Sequence, residues 1–173
     1  MSPLVVASAS LVVVLLVMLA ELRQSRRNER WLRARGAVEP SADVFSTMRW
    51  AYPAAFVVMA AEGALAGPPA GPATLAGAVL LLASKALKLW AMAALGPRWT
   101  FRVLVLPAQP LVTRGPYAVV RHPNYIAVVG ELVGMALLVG ARVTGPIATL
   151  LFGLLLRRRI DVEDRALRHP PCS

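Results

Sequence analysis

The sequence predicts an all-α integral membrane protein of five transmembrane helices, the last two a short helical hairpin, with an ordered cytoplasmic loop between helices 3 and 4. Three observations predict it. Of 173 residues, 57% are hydrophobic and only 16% charged, where a soluble domain has roughly half and a quarter; mean hydropathy is +0.60. The apolar residues gather into five runs, most close to the ~20 residues that cross a ~30 Å hydrocarbon core as a helix. The net charge of +10 comes from arginines between and just outside those runs, where lipid headgroups and the positive-inside rule account for them. A soluble globular enzyme is excluded, and the basic charge does not call for nucleic acid.

Residues 3–20 carry no charge and end in Glu21, Arg23, Arg26 and Arg27 rather than a small-residue cleavage site, so they are expected as a retained anchor. Residues 21–36, with six arginines beside Leu22, Trp31 and Leu32, read as an interfacial helix against anionic headgroups. A second span covers residues 50–66, with Arg49 and Trp50 anchoring its mouth. A third covers 73–95, where Lys85 and Lys88 are one turn apart and are expected to snorkel from a shared face. Residues 96–124 hold five prolines and four arginines, the composition of an ordered, non-helical loop. The hairpin follows, 125–141 and 143–156 about a turn marked by Gly140, Gly145 and Pro146. Its second arm is short, so it is tilted, supported by its neighbour, or extended as one helix into the charged tail.

Five crossings with the N-terminus outside put Arg23 to Arg49, Arg98 to Arg121 and Arg157 to Arg168 on the cytoplasmic side and leave Arg142 opposite. The expected location is a bacterial plasma membrane. The chain reads as one domain, 1–173, with three spans in 1–95 and the loop, hairpin and tail in 96–173. A single cysteine, Cys172, and two histidines exclude an internal disulfide and the usual four-ligand zinc site, and Cys172 is too near the end to be a prenylation box. No metal is expected.

Acids inside lipid are the first place to look for chemistry. Glu131 is either a partner for Lys85 and Lys88 or a base or substrate contact near the cytoplasmic leaflet; Glu62 is nearer the opposite surface. Arg159 and Glu163, four apart, share a helical face, with Asp164 about 100° further round. They form an interfacial ion pair or a clamp for a ligand bearing both ammonium and carboxylate. Pro116 and Pro123 hold Gly115, Tyr117, His122 and Tyr125 in a turn-rich loop suited to a preformed pocket. His122 is there a satisfied loop residue or a ligand contact.

The segment PLVTRGPYAVVRHPNY, residues 110–125, followed by an apolar hairpin and the R-x-x-x-E-[DE]-x-x-L pattern of Arg159, Glu163, Asp164 and Leu167, resembles the isoprenylcysteine carboxyl methyltransferase family of membrane enzymes. The resemblance covers about residues 99–167; Asp164 stands where the family often has a second Glu. It implies S-adenosyl-L-methionine bound on the cytoplasmic side and a lipophilic small-molecule or lipid acceptor entering from the bilayer. Carried over by motif, Gln109, Pro110, Leu111 and Val112 line the cofactor, Tyr117 packs on it, and His122, Pro123, Asn124 and Tyr125 enclose the adenosine. Glu163 holds the methionine ammonium. Arg159 orients the acceptor's carboxylate or other oxyanion. An ionised carboxylate acceptor needs no base, whereas a hydroxyl acceptor would make Glu131 or His122 useful as one. The alternatives are a phospholipid N-methyltransferase with a similar loop and acid pair, an NADPH-dependent membrane reductase, and a non-catalytic membrane interaction protein with a vestigial site.

Overall fold

The computed structural model describes residues 2–40, 43–67, 71–106 and 110–168. Its five helices are α1 (Pro3–Arg33), α2 (Phe45–Ala66), α3 (Pro72–Leu95), α4 (Pro123–Val139) and α5 (Thr144–Arg168). Two short 3-10 turns, Gly96–Arg98 and Gly115–Ala118, interrupt the loop between α3 and α4. No strand forms among the described residues; Val38 and Val105 make an isolated antiparallel bridge.

Alpha-helices are the expected solution for such apolar runs, because a lipid-facing backbone must satisfy its own hydrogen bonds. By length and composition, α1 and α3 with the turn after it can cross a membrane, and α4 is a shorter apolar helix. Only 11% and 22% of the apolar windows of α1 and α3 are buried inside the protein, so neither is the core helix of a soluble fold. Leu16, Leu82 and Leu150 are among the side chains left facing outward.

The core runs between α1, α2, α4 and α5, around Phe56, Met59, Leu132, Met135 and Phe152. Helices α3 and α4 approach more closely. A Cβ on Gly134 would lie 2.7 Å from the Leu81 nitrogen, one on Gly77 would strike the Leu138 backbone, and one on Gly130 the Ser84 hydroxyl. Gly130 and Gly134 are four apart, the small-residue spacing that brings apolar helices into backbone contact. At the α4–α5 corner Gly140 takes φ 80°, and its N–H and that of Ala141 both reach the Ala136 carbonyl. Glu62 then caps α5, accepting from the Val143 N–H at 3.0 Å and the Thr144 N–H at 2.7 Å.

Two expectations are corrected. The stretch 21–36 is not a separate interfacial helix: α1 continues through it to Arg33, because no proline or glycine separates Ala20 from Glu21 and the Glu21 carboxylate is matched inside the bundle. Lys85 and Lys88 do not snorkel. Lys88 is 1% exposed and lies 3.0 Å from Glu21 and 3.2 Å from Glu131; Lys85 lies 3.1 Å and 2.7 Å from the same two acids. The hydroxyl of Tyr52 donates to Glu131 at 2.6 Å. Two acids and two lysines thus neutralise each other within a buried cluster that joins α1, α3 and α4, with α2 attached through Tyr52. Helix α5 is one 25-residue helix running into the charged tail, which is the extended form among the three expected for the short second arm of the hairpin.

Candidate functional site

A cleft opens at the arginine-rich end of the bundle, lined by residues of the α3–α4 loop and by Tyr117, His122, Asn124, Tyr125, Arg159 and Glu163. Helix α5 supplies Arg159 and Glu163 from one face, and α4 supplies Tyr125 from its first turn. The Tyr125 hydroxyl joins them: it accepts from Arg159 Nε at 3.1 Å and donates to the Glu163 carboxylate. Arg159 and Glu163 therefore do not pair directly. Among the described residues Glu163 forms no ion pair, and Tyr125 is the hydrogen-bond partner the structure gives it. His122 stacks on Tyr125 at 5.4 Å, and its Nε2 lies 3.3 Å from Asp164 on α5. Burial and the Glu163 carboxylate raise the pKa of the Tyr117 phenol above its ordinary value.

The loop is held in place from two sides. On α1, the Ser25 hydroxyl accepts the Phe101 N–H at 2.8 Å, and Asn28 donates to the Trp99 and Gly96 carbonyls at 2.7 and 3.3 Å. The linker between α1 and α2 crosses the loop as a strap. Val38 and Val105 exchange two backbone hydrogen bonds of 2.9 and 3.0 Å, and Glu39 meets Arg102 at 2.6 Å and also Arg33. Partial burial raises the Glu39 pKa, but hydrogen bonds and charge from Arg102 and Arg33 outweigh it, leaving the carboxyl below its ordinary value. Asp43 closes the strap. It accepts from Arg159 Nη1 at 2.6 Å, from the Val103 N–H at 3.0 Å and from the Phe45 N–H at 3.1 Å, the last at the start of α2. Arg159 also donates to the Phe101 carbonyl.

The structure brings together Tyr117, His122, Asn124, Tyr125, Arg159 and Glu163. Pro123 is buried beside them as the first residue of α4. Pro110, Leu111 and Val112 do not line the cleft; Leu111 is 63% exposed, and the Pro110 carbonyl accepts from Arg98, a lining residue, at 2.7 Å. Gln109 lies outside the described residues. Glu131 is in the buried lysine cluster, away from the cleft lining. Sequence reasoning missed Ser25, Asn28, Glu39 and Asp43. The i, i+4, i+7, i+11 spacing of Glu21, Ser25, Asn28 and Leu32 was a readable sign that one face of α1 is buried beyond Ala20. Nothing in the sequence marked Asp43. A second hollow, an apolar groove of about 580 Å³ at the far end of the α4–α5 hairpin, is lined by Val133, Leu137, Gly140 and Leu150, with Arg142 its one charged residue.

The profile of the Isoprenylcysteine carboxyl methyltransferase (ICMT) family covers residues 77–169, which contain every residue lining the cleft. The chain belongs to this family. It is 32% identical over 149 residues to "Uncharacterized protein YpbQ" of Bacillus subtilis (strain 168), covering 86% of this chain and 89% of that one. To an "Uncharacterized protein" of Haemophilus influenzae it is 25% identical over 157 residues, 90% and 91% of the two chains. No solved structure matches it significantly. Membership of the ICMT family implies a membrane methyltransferase, and enzymes of this family generally use S-adenosylmethionine.

Proposed function

We propose that the protein is an S-adenosyl-L-methionine-dependent integral membrane methyltransferase that moves a methyl group to a carboxylate or hydroxyl oxygen of a lipophilic acceptor. The five helices are read as five crossings with the N-terminus outside and the cleft cytoplasmic, which keeps most arginines on one side.

The observation that carries the reading is the state of Glu163. An acid that lines a cleft, lacks an ion-pair partner among the described residues and is fixed by the Tyr125 hydroxyl suits the ammonium group of a methionine moiety. When bound there, the cofactor supplies an electrophilic methyl group on a sulfonium. Tyr117, His122, Pro123, Asn124 and Tyr125 are assigned to its adenosine end, and Gln109, Pro110, Leu111 and Val112 are assigned to line it. Arg159 is assigned to the acceptor. A guanidinium has five N–H donors; three are engaged, by Asp43, Phe101 and Tyr125, and the others are available to an oxygen of the acceptor. Glu131 stays a candidate base for a hydroxyl acceptor only if a proton can reach it through Tyr52, its hydrogen-bond donor.

The cleft measures about 90 Å³, well below the ~300–1,000 Å³ of small-molecule pockets. Ligand entry therefore requires the strap or the 96–106 loop to move outward.

The deciding experiment is calorimetric titration of the purified protein in detergent with S-adenosylmethionine, beside Glu163→Ala and Arg159→Ala. Binding by the wild type that Glu163→Ala abolishes and Arg159→Ala retains supports both assignments. Well-folded wild-type protein that fails to bind removes the reading. Transfer of labelled methyl groups to phosphatidylethanolamine, rather than to lipophilic acids and phenols, would replace the acceptor class with an amine.

A further inference from the structure

Helix α1 has a surface that the cleft does not use. Past Ala20 its buried residues are Glu21, Ser25, Asn28 and Leu32, while Arg23, Arg26, Arg27 and Arg30 are exposed. At about 100° per residue, the four arginines fall within roughly 100° of arc, opposite the buried seam. The same sector, one to three turns earlier, holds Val12, Leu16 and Leu19, which are 54%, 62% and 43% exposed. An apolar stripe thus runs into a cationic one without changing face. Among the described residues no carboxylate pairs with these four arginines, whereas Arg33, Lys85, Lys88, Arg102 and Arg159 each have one.

We propose that this stripe is a binding site for anionic phospholipid. The acyl chains lie along Val12, Leu16 and Leu19; the phosphate is held by Arg23, Arg26 and Arg27, and Arg30 extends the positive field. The rise from Leu19 to Arg23 is about 6 Å, close to the depth of one headgroup layer, taken as half the difference between a ~40–45 Å bilayer and its ~30 Å core. A soluble polyanion would use the arginines and leave the continuous apolar face without a role. A zwitterionic lipid would fill the apolar face and gain little from four cations.

The site also communicates with the cleft. Ser25 and Asn28, on the opposite side of the same helical turns, hold Phe101, Trp99 and Gly96, and the Phe101 carbonyl receives Arg159. A lipid that fixes α1 fixes that edge of the loop, so lipid and cleft ligand favour each other reciprocally. This coupling rests on the methyltransferase reading; the lipid site does not.

The test uses the full-length protein, the fourfold variant Arg23→Gln, Arg26→Gln, Arg27→Gln, Arg30→Gln, the matching fourfold Lys variant, and the pair Arg157→Gln, Arg158→Gln as a control elsewhere on the basic end. Each is equilibrated with equal phosphatidylcholine and phosphatidylglycerol, and the lipids that co-purify are counted by mass spectrometry. The wild type, the Lys variant and the control pair should retain about five phosphatidylglycerols for each phosphatidylcholine, the ratio that a preference of ~1 kcal/mol, that of one surface cation, gives. The Gln variant, with an unchanged unfolding temperature, should retain both lipids equally. Equal retention by the wild type, enrichment that survives the Gln variant, or displacement of phosphatidylglycerol by soluble polyphosphate overturns the site.

S-adenosylhomocysteine titrated into nanodiscs tests the coupling. Wild-type affinity should be at least about fivefold higher with phosphatidylglycerol present, and the Gln variant indifferent to lipid. Wild-type affinity indifferent to lipid overturns the coupling. Absence of binding in both lipids overturns the methyltransferase reading, and the lipid counts then decide the site alone.

Discussion

Replacing Asp43 with Asn should destabilise the protein by about 3–5 kcal/mol, the loss found when one partner of a buried ion pair is removed. The Asp43 and Arg159 side chains are 4% and 6% exposed and 2.6 Å apart. Asparagine keeps one oxygen for Arg159 and for the Phe45 N–H, but it leaves the guanidinium without a counter-charge. It also turns an N–H donor toward the Val103 N–H, which the carboxylate accepts at 3.0 Å; an unsatisfied buried donor adds about 1–3 kcal/mol. The measurement is equilibrium unfolding in mild detergent, followed by tryptophan fluorescence. A double-mutant cycle with Arg159→Met supplies the control: removing the orphaned charge should recover much of the loss, so the double variant is more stable than the two single losses would sum to. A loss under about 1 kcal/mol, or losses that simply add, would refute the claim that this pair closes the strap.

Two further predictions follow from the packing and the strap. Gly134→Ala should force α3 and α4 apart, since the new Cβ meets the Leu81 backbone at 2.7 Å and no flexible side chain can yield; a loss of about 1–3 kcal/mol is expected from overpacking, read as a lower unfolding temperature beside an unaffected Gly153→Ala, where the space is open. The Glu39 carboxyl is held below its ordinary value by Arg102 and Arg33, so its stabilisation is fully present above the ordinary carboxylate range and is lost as pH falls through the folded value. Unfolding measured from pH 7 downward should therefore show a smaller acid-induced loss in Glu39→Gln than in the wild type; equal losses would exclude Glu39 as a source of the strap's acid sensitivity.

The helices were legible because lipid leaves few choices: long uncharged runs must be helical, and prolines and glycines punctuate them. The loop motif and the α5 pattern were legible for a different reason, since Arg159 and Glu163 at i and i+4 must share a face wherever the helix goes. Hidden were contacts made across sequence distance by residues with ordinary local surroundings. Glu131 was legible as a partner for Lys85 and Lys88, but the two also read as snorkelling cations because the sequence does not show that Glu21, from α1, sits 3.0 Å from Lys88. Asp43 is the stronger case. It lies in a short polar linker, the least informative composition on the chain, yet its carboxylate meets the start of α2, the loop and α5. Local propensity can place a carboxylate in a linker, but only the closed bundle decides which buried guanidinium it neutralises. A chain that buries Arg159 must supply a counter-charge from somewhere, and the cost of an unpaired guanidinium makes such a partner a necessary feature of the bundle even where the sequence leaves its position open.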